Sequence, residues 1–148
     1  MAQLNTVMLL ADEFTENDYI KKEHTSLNFS VDPNEESHLG VLILSSVVFD
    51  KEEPVEDIFV EFRMFYLGTD HQIKLEGAKL TFPIVEKNMA YVEMYEPFSK
   101  KIYTKRSTVQ IATVFPGEGQ YVLMLVEKNS NNKVPNILDL RLIDVKYK

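Results

Sequence analysis

Between positions 95 and 106 the chain interleaves aromatic rings with cations: Tyr95, Phe98 and Tyr103 with Lys100, Lys101, Lys105 and Arg106. The cluster stands out because 23 Asp and Glu outnumber 16 Lys and Arg over the whole chain, for a net charge of -7. Two chemistries fit such a segment. Rings with basic neighbours can stack the bases of single-stranded nucleic acid, and a local charge contrast can guide an acidic protein partner. The acidic balance opposes general attraction to phosphate backbones and anionic lipid. The plain alternative is an ordinary hairpin loop with no partner; where these seven residues bind, the partner expected is another protein, and nucleic acid and membrane are disfavoured.

The other stretches that could do chemistry each miss a requirement. "FPGEGQYVLMLVEKN", Phe115 to Asn129, has two glycines but no Lys and no following helix, so it lacks the parts of a phosphate-binding loop. The pattern predicts a hairpin corner at Pro116–Gly119 leading into a strand. Asp12, Glu13, Glu16 and Asp18 supply carboxylates, but Phe14 occupies a position where a calcium loop needs a ligand, and the central glycine is missing. His24, His38 and His71 lack HxH or HExxH spacing. There is no G-x-S-x-G elbow, and no pair of acids stands out as a glycosidase couple. With no cysteine there is no thiolate ligand, disulfide or cysteine nucleophile. The sequence thus points to no cofactor, no metal and no catalytic residue.

These candidates must be positioned by a chain that reads as strand throughout. Runs rich in Val, Ile, Leu, Phe and Tyr alternate with Pro, Gly, Asn and Asp clusters. Strands are predicted near Gln3–Ala11, Thr25–Val31, Leu39–Phe49, Ile58–Leu67, Ala78–Val85, Ala90–Tyr95, Ser107–Phe115, Gln120–Glu127 and Ile137–Tyr147. In "IFVEFRMFYLG" the period of two puts Ile58, Val60, Phe62, Met64 and Tyr66 on one face, which predicts burial of that face. Val122, Met124, Leu140 and Leu142 are expected to join it, with a bulge near Ile143. Glu13–Glu23 is expected to be irregular, and "DKEEPVED", Asp50 to Asp57, to be a solvated turn. Glu127–Asn136 reads as a loop.

At 148 residues one domain spanning 1–148 suffices and can bury about 70% of its unfolded surface. Eight or nine short strands spaced by turns in that length predict an all-β, antiparallel β-sandwich. No run approaches the roughly 18 to 20 apolar residues of a membrane span, and Val7–Ala11 is too short and unflanked by cations to be a signal core. The cysteine-free composition fits a reducing, cytoplasmic setting.

"VMLLAD" near the start, "IFVEFRMFYLGTD", and "PGEGQYVLMLVEKN" together resemble small bacterial β-sandwich proteins of unassigned activity. The resemblance implies the sandwich fold and carries no functional residue. The leading expectation is a non-enzymatic interaction module of bacterial or phage type that binds a protein through loops or a strand edge, with homo-oligomers possible through exposed edges. The alternatives are a sandwich that binds a small ligand or carbohydrate on Tyr and Phe faces, and an enzyme whose site has no recognisable motif.

Overall fold

The computed structural model describes residues 3–17, 19–23, 28–70, 72–77, 79–86, 89–128 and 136–148. Eleven strands are found there: β1 (Gln3–Phe14), β2 (Ile20–Glu23), β3 (Asn28–Val31), β4 (Ser37–Asp50), β5 (Ile58–Gly68), β6 (Leu75–Glu76), β7 (Leu80–Val85), β8 (Val92–Met94), β9 (Lys100–Thr113), β10 (Gly119–Lys128) and β11 (Asn136–Tyr147). No helix occurs among the described residues. None, therefore, is long and apolar enough to cross a membrane. The strands form two sheets. The first has the order β2-β1-β4-β9-β8; the second has β3-β11-β10-β5-β6, with β7 also paired to β5. All pairings are antiparallel except that of β3 with β11, which is parallel. The expected β-sandwich is what the chain forms.

The interior follows from alternation. Along β4, Leu39, Val41, Ile43, Val47 and Phe49 point inward and are buried, the register with β9 sets Val109 and Tyr103 beside Val41 and Val47, and β1 adds Met8 opposite Ile43. The second sheet answers with Ile58, Val60 and Phe62 from β5, Tyr121, Leu123 and Leu125 from β10, and Ile143 and Val145 from β11. Each such side chain adds roughly 1.5–3 kcal/mol when taken out of water.

The face assignment on β10 and β11 corrects the sequence reading. β10 is apolar on both faces, so its period cannot say which one is inward; Val122 and Met124 belong to the outer set. Leu142 and Leu140 pair with them in register and are 46% and 44% exposed. Val122 is nonetheless covered, between Phe65 and Leu142 on the flanking strands. Met64 and Tyr66 lie in the inward phase but are only half-buried. The bulge lies near Leu138, where Leu125 pairs with Asp139 and Val126 with Ile137, and not at Ile143.

Two further features were not predicted. Glu61 is 2% exposed and lies between Arg63 and Lys128, forming ion pairs with both. Burial works to raise its pKa, but hydrogen bonds from Lys128 and Arg63 outweigh that, and the carboxyl titrates below its ordinary value. A depressed carboxylate stabilises the fold above the unfolded pKa and loses that contribution as pH falls through the folded one. Secondly, the Pro116–Gly119 turn is not a hairpin corner. It joins β9 in one sheet to β10 in the other, with Tyr121 Oη donating to the Gly117 carbonyl at 2.8 Å and Tyr66 Oη to the Glu118 carbonyl at 2.8 Å. Gly119 has φ +121°, and a Cβ there would lie 2.6 Å from the Gly68 backbone, so only glycine fits.

Candidate interaction surface

β8 and β9 form a hairpin at one edge of the first sheet, with Val92, Glu93 and Met94 opposite Ile102, Lys101 and Lys100. Its tip is locally closed. The Phe98 and Ser99 N–H groups both donate to the Tyr95 carbonyl, at 3.0 and 3.2 Å, Ser99 takes φ 46°, and its hydroxyl donates to Glu96 at 2.7 Å. The Glu96–Pro97 peptide is cis. One backbone bond, from Lys51 N–H to the Ser99 carbonyl at 3.2 Å, ties the tip to the β4–β5 turn.

The seven residues singled out by the sequence do not form one patch. Tyr95 and Phe98 project from the tip, 71% and 59% exposed. Lys100 pairs with Asp50, whose carboxyl is held below its ordinary pKa chiefly by that hydrogen bond, and Lys101 Nζ donates to the Glu53 carbonyl at 3.0 Å. The acidic turn is thus where the hairpin's lysines are anchored. Tyr103 is a core residue: it is buried, it packs edge-on to Phe49 at 5.7 Å and tilted onto Tyr91 at 5.3 Å, and burial raises its pKa. It belongs to no contact surface. Strand β9 begins at Lys100, seven positions before the predicted start, so alternation sends successive cations to opposite faces. Lys105 falls in the inward phase, opposite Ser45. Arg106 points outward, donating to the Asn17 carbonyl at 3.0 Å with its guanidinium 4.0 Å from the centre of the Tyr19 ring.

What the sequence reading missed is the apolar company of the tip. Tyr91, Val92 and Met94 are exposed, with Val92 at 62%. Val92 and Met94 share one face of the strand and Glu93 the other, a pattern that reads in the sequence as a buried face. An edge strand this short has no second layer to bury them against. The pocket lined by Lys51, Glu93, Met94, Tyr95, Ser99, Lys100 and Lys101 is about 10 Å³, less than a small molecule needs. The other expectations fall as follows. Among the described residues no three acidic or histidine side chains group as a metal site. His38 is exposed beside Glu36 at 3.5 Å; His24, His71 and Asp18 lie outside the described residues.

Comparison with known proteins gives no family: no family model matches the chain, and no curated protein matches it. Among solved structures it is similar to the N-terminal domain of PorA, at 10% identity over 96% of this chain and 98% of that one, with a TM-score of 0.27.

Proposed function

We propose that this chain is a non-enzymatic interaction module whose β8–β9 hairpin docks another protein. The observation that supports it is the cluster of Tyr91, Val92, Met94, Tyr95 and Phe98, five large apolar side chains left in solvent within eight consecutive positions. Contiguous exposed apolar surface marks interaction sites, and tyrosine is enriched among the few residues that dominate protein interfaces. Tyr95 and Phe98 act as anchors, with Val92 and Met94 as the surround that excludes water. Lys100 and Lys101 position the hairpin and add a basic rim for an acidic partner. A module of bacterial or phage type is consistent with the resemblance to bacterial sandwiches, and the cysteine-free composition favours a cytoplasmic setting.

The test is site-specific photo-cross-linking in the source cell. A photoreactive phenylalanine analogue at Phe98 captures one discrete protein, and the same probe at Tyr19, an exposed tyrosine of the β1–β2 turn, does not. Equal capture at both positions, or capture at neither, removes the hairpin from the reading.

A further inference from the structure

The outer face of the first sheet carries a second, chemically different surface. Cross-strand register lines up Asn5, Ser46 and Thr104 in one outward row and Val7, Leu44 and Arg106 in the next. These six residues, with Ser45 and Lys105, line a concavity of about 490 Å³, within the roughly 300–1,000 Å³ of small-ligand sites. Among the described residues no aspartate or glutamate lines it, although acids outnumber cations over the chain. A second concavity on the same face, of about 330 Å³, mixes Asp12 with Lys21 and His38 and so offers no charge preference.

We propose that the larger concavity binds a carboxylated sugar of the hexuronate class. Each surface group matches a part of that ligand. Val7 and Leu44 are exposed and give an aliphatic floor for the C–H face of a pyranose ring. Asn5, Ser46 and Thr104 present an amide and two hydroxyls, each able both to donate and to accept, as sugar hydroxyls do. They repeat at about the 4.8 Å spacing of neighbouring strands, the scale of one sugar ring. Arg106 supplies the cation for the carboxylate, through a charge-assisted bond. Its guanidinium is held in place by the Asn17 carbonyl and the Tyr19 ring, so little side-chain entropy remains to be lost on binding. A nucleotide is a poorer fit, because among the described residues no aromatic ring lines the concavity. Free phosphate is poorer too, since the backbone N–H groups that would cradle it are committed to the sheet ladder.

The site is separate from the hairpin of the preceding proposal, so either can fail alone. The experiment is a titration of the isotopically labelled protein with glucuronate, glucose and inorganic phosphate, followed by backbone amide shifts. Glucuronate should give saturable shifts at residues 5, 7, 44, 46, 104 and 106. Glucose should shift the same amides about tenfold more weakly, the worth of one charged hydrogen bond. Arg106→Gln should abolish that preference, and Thr104→Val should weaken both sugars while keeping it. Phosphate binding as strong as glucuronate, equal affinity for the two sugars, or no saturable shift at those amides would each overturn the proposal.

Discussion

The first sheet ends in a hairpin at each edge, and the two meet opposite fates. Both carry aromatic rings among charges: Phe14 and Tyr19 in β1–β2, Tyr95 and Phe98 in β8–β9. The β1–β2 hairpin folds back over its own sheet. Register shifts after Ala11 and Glu13 bend β1, Phe14 then lies against Gly40, and the Thr15–Tyr19 turn reaches Arg106 on β9. The β8–β9 hairpin projects, held at its root by Lys100, Lys101 and the Ser99 carbonyl. The difference comes from the rest of the chain. Position 40 lacks a side chain where a ring must rest, and position 106 offers a cation where another ring arrives; no described residue receives Tyr95 or Phe98 in that way.

The largest effect that would test this contrast lies at the projecting hairpin's root. Tyr103 joins Phe49 in the core to Tyr91 in the hairpin, so Tyr103→Ala should cost about 3–5 kcal/mol, as truncation of a buried ring does. Chemical denaturation measures it, and a loss below about 1 kcal/mol would detach the hairpin from the core. Next comes the receiving surface of the folded hairpin. A Cβ at Gly40 would lie 2.4 Å from Phe14 Cε2 and 3.1 Å from the Ala11 carbonyl, so Gly40→Val must evict the ring. The expected cost is about 1–3 kcal/mol, with faster amide exchange over residues 14–20; unchanged exchange there would mean that Phe14 does not hold the hairpin down.

How much of this was legible follows from the same residues. The sandwich was, because β4 and β5 alternate or run apolar over ten positions or more between clear turns. The faces of β10 and β11 were not: Tyr121 to Val126 are all apolar, so period two carries no information, and register came instead from the partners across the ladder. The cation–aromatic segment was noticed for its composition, but composition does not say that a strand begins at Lys100, and one strand start decided the fate of five of its seven residues. Burial of Tyr103 and the engagement of Arg106 depend on Phe49, Tyr19 and Asn17, distant in sequence, which no local pattern names.

A smaller effect is expected at the latch of the folded hairpin. Arg106→Gln removes one hydrogen bond and an exposed cation–π contact, together about 1 kcal/mol. Amide exchange at Thr15 and Tyr19 should quicken while the rest of the first sheet is unchanged. Quickening spread over the whole sheet would make Arg106 a general stabiliser and erase its part in the contrast.

The smallest effect on stability belongs to the tip that projects. Tyr95→Ser and Phe98→Ser remove rings that touch little of the fold, so each should change the unfolding free energy by less than about 0.5 kcal/mol. The Tyr95 hydroxyl, its pKa raised mainly by hydrogen bonding to Glu93, is exposed and makes no difference to that expectation. The same two substitutions should each weaken binding to the cross-linked partner by about tenfold or more, the loss typical of an anchoring aromatic. Salt should weaken that binding only modestly, because the rings carry most of it and Lys100 is already paired with Asp50, which leaves Lys101, bonded only to the Glu53 carbonyl, as the rim charge to screen. A binding loss matched by an equal loss of stability would mean that the rings pack within the fold, and a steep salt dependence with little effect of Tyr95→Ser and Phe98→Ser would return the lysines to the interface in place of the rings.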